Sequence, residues 1–195
     1  MIKLSIIIPI YNGEKFILRA LDSIPKRDDI EVICVDDGST DNTFEILKNY
    51  TRIPIKIFHL NKNMGIGYAT NTGIEASTGE YITGLDIDDY YITEIFNNCL
   101  DNIILEDDIY NFSYLQNSGE VWWAKDIWGL PGKWIKKSFI GNIRWRRDRF
   151  ATDMYFLQEL RRKKPKEKFL NIIYYRYNYP REGSMDWERV HGKAG

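Results

Sequence analysis

Gly79-Glu-Tyr-Ile-Thr-Gly-Leu-Asp-Ile-Asp-Asp89 decides how this chain folds. Tyr81, Ile82, Thr83 and Leu85 favour extended backbone and carry the chain through a core. Three carboxylates then follow within four positions, Asp86, Asp88 and Asp89, with no basic residue among them. Carboxylates this close repel one another. A hard divalent cation relieves the repulsion, because oxygen ligands neutralise its charge and it neutralises theirs.

Upstream, the run Lys3 to Ile8 is nearly continuous in apolar residues, the pattern of a strand covered on both faces of a parallel sheet. Pro9-Ile-Tyr-Asn-Gly13 stops it, and Phe16, Ile17, Ala20, Leu21 and Ile24 recur at helical spacing. A second strand, Glu31 to Val35, ends in Asp36-Asp-Gly-Ser-Thr-Asp-Asn42. There Gly38 permits a tight turn, and Ser39, Thr40 or Asp41 can cap a helix carrying Phe44, Ile46, Leu47 and Tyr50. Ile55 to Leu60 reads as a third strand, Ala69 to Ala76 as part of a third helix, and Glu80 to Leu85 as the strand that delivers the acidic cluster. Strands alternating with helices predict an α/β fold with a mostly parallel sheet and helices on both faces. Ligands bind beyond the carboxyl ends of such strands. Asn12, Asp37, Asn63 and Asp86 all lie at those ends.

Downstream, Thr93 to Asn102 reads as a helix, Ile109 to Leu115 and Val121 to Ala124 as short strands, and Trp128-Gly-Leu-Pro-Gly132 as a loop. Helical spacing returns at Met154, Phe156, Leu157 and Leu160, and Phe169 to Tyr179 reads as a last strand before a polar tail. Charge divides the chain. Residues 121–195 hold 18 Lys and Arg against 8 Asp and Glu, and residues 1–120 hold 9 against 20. An acidic half with clustered carboxylates suits metal-bound phosphate, and a basic half suits an anionic acceptor, unless the two halves simply attract each other.

A hydrophobic content of 44% and a charged content of 28% in 195 residues suit a single globular domain and exclude disordered and fibrous classes. Cys34 and Cys99 fall in core-like runs, the usage of a reduced cytosolic protein without a disulfide framework. No apolar run approaches the roughly 20 residues needed to cross a bilayer, and the start passes directly into a strand pattern. A cytoplasmic location, or a peripheral one at a membrane, is expected.

Four motifs in order carry a resemblance: Ile6-Ile-Ile-Pro-Ile-Tyr-Asn12, Val35-Asp-Asp-Gly-Ser-Thr-Asp41, Asn63-Met-Gly through Asn71-Thr-Gly73, and Gly79-Glu-Tyr-Ile through Leu85-Asp-Ile-Asp-Asp89. Together they resemble the family 2 glycosyltransferases of the GT-A fold, closely over residues 1 to about 92 and loosely beyond. The resemblance implies one GT-A domain over 1–195, with 1–92 binding a nucleotide-sugar and 93–195 forming a small acceptor-binding part and tail. It implies an inverting transfer of a sugar from a nucleotide-diphosphate donor, UDP-sugars foremost, to an acceptor hydroxyl.

Under that resemblance Asp37 accepts a hydrogen bond from the N–H of the base, and Pro9, Tyr11, Asn12 and Asn63 line the nucleoside. Asp86 reaches ribose or a metal-bound water. Asp88 ligates Mn2+ or Mg2+, which bridges the two phosphates. Asp89 serves either behind that ligand or as a helix cap. Thr70 stands where the family often has Arg, so any contact made by that Arg must come from elsewhere, Lys62 being one candidate.

A sugar hydroxyl needs a general base before it attacks. The matching position is Asp153 in Arg149-Phe-Ala-Thr-Asp-Met-Tyr-Phe156, with Thr152 where Glu usually stands; the same aspartate also fits as an N-terminal helix acid, and Asp148 is the fallback. In the tail, Arg181 and Ser184 are placed to close over the diphosphate, and His191 to add a metal ligand. Trp122, Trp123, Trp128, Trp134 and Trp145, near Arg144, Arg146, Arg147 and Arg149, suit a glycan acceptor, lipid-linked or polyanionic. Hydroxylated bases of DNA are an alternative acceptor. A nucleotidyltransferase on a related sheet would need basic residues in Pro9-Ile-Tyr-Asn-Gly-Glu14, which has none. An inactive binding module is disfavoured by intact Asp37, Asp86 and Asp88.

Overall fold

The computed structural model describes residues 3–123, 129–146 and 152–178. Its first half is built from β1 (Leu4–Ile10), α1 (Ile17–Asp22), β2 (Ile30–Asp36), α2 (Thr43–Asn49), β3 (Lys56–His59), α3 (Ile66–Ala76) and β4 (Tyr81–Gly84). The second half adds β5 (Tyr90–Tyr91), α4 (Thr93–Asn102), β6 (Ile109–Gln116), β7 (Val121–Trp122), β8 (Lys133–Lys136), the single turn α5 (Lys137–Ile140), α6 (Thr152–Arg162) and β9 (Glu167–Tyr177). Among the described residues these make one nine-stranded sheet in the order β3-β2-β1-β4-β8-β6-β9-β5, with β7 paired to β6.

The four strands β3-β2-β1-β4 are parallel throughout. Side chains alternate across β1. Ile6 and Ile8 point into a core with Ile17 and Leu21 of α1 and Phe96 and Leu100 of α4. Ile7 points the other way, onto Ile74 of α3 and Phe156, Leu157 and Leu160 of α6. All three isoleucines are fully buried, and each contributes about 1.5–3 kcal/mol of hydrophobic stabilisation. Covering both faces is what makes the unbroken apolar run necessary.

The parallel half ends at β4, where β8 enters antiparallel on one side and pairs with β6 on the other. The sequence predicts the loop before β8 but not the strand itself. Lys133-Trp-Ile-Lys136 has only two apolar residues between lysines, too short a run to mark a strand. In the fold Lys133 is wholly buried. Burial chiefly, with Arg161 adding to it, pushes its ammonium down to about 7 against the opposing pull of Glu167 and Asp153. The last strand, β9, runs parallel to β6 with an irregularity around Ser113, and β5 pairs with its far edge. Cys34 and Cys99 are free and buried, in line with core packing. Among the described residues no helix is long and apolar enough to cross a membrane.

Candidate active site

The carboxyl ends of β1, β2 and β4 meet at one edge, and the loops there are tied together by side-chain hydrogen bonds. Asn12, held at a positive φ of 51°, donates its N–H to Ser39 Oγ at 2.9 Å and accepts the Thr40 N–H on Oδ1 at 2.8 Å. Gly13 N–H donates to Thr43 Oγ1 at 2.7 Å and Glu14 N–H to Asp41 Oδ2 at 3.1 Å. Asp41 Oδ1 accepts the N–H of Thr43 at 3.0 Å, satisfying an orphan donor in the first turn of α2. The loops after β1 and β2 therefore form one polar unit, with Tyr11 and Asn12 exposed on it.

Asp37 is nearly sealed, at 3% exposure. Its Oδ1 accepts the Met64 N–H at 2.7 Å and its Oδ2 the Gly65 N–H at 2.8 Å. Burial pushes this carboxyl up, the two N–H groups pull it down, and neighbouring Asp36 pushes it up further, for a net rise. Asp37 thus shapes the loop in front of α3, where exposed Asn63 accepts the Gly65 N–H on Oδ1 at 3.0 Å. Gly38, at φ +69°, lets the Lys62 backbone approach; a Cβ there would lie 2.6 Å from Lys62 Cα. Lys62 itself is exposed.

The acidic stretch separates into two kinds of carboxylate. Asp86 and Asp88 are half-buried, whereas Asp89 is 1% exposed. Asp89 N–H closes a turn onto Asp86 O at 3.0 Å. Both oxygens of Asp89 are engaged: Tyr175 Oη donates to Oδ2 at 2.6 Å and Asn178 N–H to Oδ1 at 2.8 Å. Burial and the adjacent Asp88 raise the Asp89 carboxyl to about 7, against those two donors and Arg19. These contacts tie Asp89 to β9 and to the residue that follows it. Arg19 of α1 donates to Asp88 O at 2.5 Å and lies over the Tyr90 ring. The helix carrying it gives no hint in sequence that it reaches this turn.

A small cleft is lined by Pro9, Ile66, Thr70, Asp86, Leu130, Pro131 and Trp145. Thr70, the substitute for the expected Arg, is 2% exposed there. Trp145 reaches the cleft because Asn71 holds its backbone on both sides, and because Gly67 leaves room: a Cβ at Gly67 would lie 2.3 Å from Arg146 O. Trp145 also packs on Phe156 of α6 at 5.6 Å between ring centroids. Asp153 stands partly buried in the first turn of α6, its Oδ1 accepting the Met154 N–H at 2.8 Å. Through Trp145, Asn71 thus connects α3 to the helix bearing Asp153, a link its spacing alone does not reveal.

No three His, Cys, Asp or Glu among the described residues converge as a preformed cation cage. Two half-exposed carboxylates nonetheless fit Mn2+ or Mg2+, which commonly take one or two protein carboxylates and complete their shell with phosphate oxygens and water. Asp148, Arg181, Ser184, His191, Trp128, Arg147 and Arg149 lie outside the described residues.

The sequence matches the profile described as Glycosyl transferase family 2 over residues 5–171. The chain belongs to this family. Among relatives of glycosyl transferase family 2 type, the poly(ribitol-phosphate) beta-glucosyltransferase of Bacillus spizizenii is 34% identical over 143 residues, 70% of this chain and 21% of that protein. The chondroitin synthase of Escherichia coli is 43% identical over 100 residues, 50% of this chain and 15% of that protein. The chain therefore spans about a fifth or less of these two relatives. Staphylococcus aureus TarS 1-349, solved with UDP-GlcNAc, superposes with a TM-score of 0.81 at 25% identity over 94% of this chain and 60% of that one. The mannosyltransferase PcManGT of Pyrobaculum calidifontis, solved with GDP-Man and Mn2+, superposes with a TM-score of 0.73 at 16% identity, over 95% of this chain and 59% of that one. The fold is of the GT-A type of this family.

Proposed function

We propose that this chain carries the donor-binding and catalytic part of an inverting glycosyltransferase that uses a nucleotide-diphosphate-sugar, with UDP-sugars as the first candidates. The observation that carries the proposal is the contrast at the end of β4, where Asp89 is consumed by the fold while Asp86 and Asp88 stay half-exposed. Relatives solved with UDP-GlcNAc or with GDP-Man and Mn2+ support a donor of this class.

Asp88 would hold Mn2+ or Mg2+, and Asp86 beside it would reach the ribose or a metal-bound water. The ion would supply positive charge to a diphosphate whose own charge grows as it leaves. Pro9, Tyr11, Asn12 and Asn63 would cradle the nucleoside. Asp37 would accept the N–H of the base on lone pairs not used by Met64 and Gly65, since each carboxylate oxygen has two. Asp153 would take the proton from the acceptor hydroxyl while its oxygen bonds to the anomeric carbon and the bond to the diphosphate breaks. One displacement inverts that carbon. From the tail, Arg181 and Ser184 are proposed to act on the diphosphate and His191 to add a metal ligand.

The acceptor is proposed to be a glycan hydroxyl. The exposed Trp122 and Trp123 offer aromatic faces of the kind that stack on sugar C–H surfaces. A panel of nucleotide-sugars screened by thermal shift with Mn2+ and with EDTA tests the donor class, because only a ligand of the folded state raises the midpoint. A metal-dependent rise with at least one nucleotide-sugar is expected; no rise with any donor sinks the proposal.

A further inference from the structure

The turn Asp86–Asp89 belongs to the parallel half, yet besides Arg19 of α1 it is fixed from β9 and the residue after it, almost ninety residues later. Tyr175 is the pivot. Its hydroxyl donates to Asp89 Oδ2 at 2.6 Å and accepts the Asp86 N–H at 3.2 Å, so a single oxygen joins both ends of the turn. Asn178 N–H takes the other Asp89 oxygen at 2.8 Å. Pairing of Tyr91 with Tyr175 and of Tyr90 with Arg176 continues the same attachment. Asp88 projects from between the two tied residues.

The ring of Tyr175 is fully buried, stacked on Tyr114 at 4.6 Å and edge-on to Tyr91 at 5.8 Å. It therefore holds the hydroxyl in one place.

We propose that Tyr175 is a positioning residue for divalent-metal-dependent nucleotide diphosphate binding: by bridging the Asp86 N–H and the Asp89 carboxylate it fixes the backbone turn from which the Asp86 and Asp88 carboxylates project. This rests on the donor and metal roles proposed above for those two carboxylates. Holding ligating groups through their supporting hydrogen bonds has a measurable counterpart elsewhere, since removing such outer partners commonly weakens metal affinity by about 10–100-fold. Tyr175→Phe keeps the ring stack and removes only the bridge.

The test titrates UDP binding against Mn2+ for wild type and Tyr175→Phe, alongside UDP binding in EDTA. The expected result is at least a tenfold rise in the Mn2+ concentration that half-saturates binding, with binding in EDTA unchanged. An unshifted Mn2+ response overturns the inference. So does an equal loss with and without metal, which a purely structural tyrosine would give. Asn178→Pro removes the other donor to Asp89, and reports on the same clamp should Tyr175→Phe fold poorly; an unshifted Mn2+ response there overturns it equally. If wild-type UDP binding ignores Mn2+ altogether, the proposed metal role fails first and this inference goes with it.

Discussion

Asn71 grips the backbone of Trp145 with both ends of its amide: Nδ2 donates to Trp145 O at 2.9 Å and Oδ1 accepts the Trp145 N–H at 2.8 Å. Residues 74 positions apart are thereby locked, and the Trp145 backbone is fixed against α3. Asn71→Ala removes both bonds and leaves a partly buried N–H and C=O without partners. A loss of about 1–3 kcal/mol is expected, read from urea midpoints. Turnover should fall more than donor binding does, because Asp153 sits on the helix this grip orients.

Asp88→Ala should abolish the Mn2+-dependent part of donor binding and reduce turnover by at least a hundredfold. Asp89→Ala should behave differently. It removes the partner of Tyr175 and of Asn178, and so should lower stability by about 2–4 kcal/mol. Calorimetric midpoints and Mn2+ titrations of the two variants side by side check the division. Full activity in Asp88→Ala contradicts the mechanism.

Asp153→Asn keeps the shape of the side chain and its bond to Met154 N–H but cannot take a proton. Donor affinity should stay within twofold of wild type, while transfer falls about 10²–10⁴-fold, the usual contribution of a positioned base. Unchanged transfer moves the base elsewhere.

Glu31 supplies a pH dependence. Burial alone would push its carboxyl up, but the Lys56 ammonium at 2.6 Å, the Ser5 hydroxyl and the Thr78 N–H outweigh it and hold the group near 2, against an ordinary 4.5. Because the folded value is the lower one, the stabilisation is complete above pH 4.5 and is lost as pH falls toward 2. The full shift corresponds to about 3 kcal/mol. Glu31→Gln should flatten the fall in urea midpoint between pH 5 and 3. An unchanged slope would assign the acid sensitivity to other groups.

The parallel half was legible because its chemistry is local. Leu4 to Ile10 and Ile30 to Val35 are apolar runs that have few alternatives to a doubly covered strand, and the polar loops follow them directly in sequence. β8 was not legible, since burying Lys133 depends on Glu167 and Asp153, which are brought in by later elements. The acidic stretch was legible as a cluster but not residue by residue. Nothing within it distinguishes Asp88 from Asp89; the difference is made by Tyr175 and Asn178, 86 and 89 positions beyond Asp89. Likewise the Asn-x-Gly motif announces a helix, whereas its partner Trp145 becomes visible only in three dimensions.

The place of β8 sets an order of events during synthesis. Until residues 133–136 leave the ribosome, β4 has β1 on one side and an open row of backbone donors and acceptors on the other. Such an edge recruits other strands, and closing it waits on a contact some fifty residues distant, which slows folding. A chain cut after the acidic turn would therefore carry its carboxylates on an unsealed sheet and should aggregate, even though all four sequence motifs had already been made.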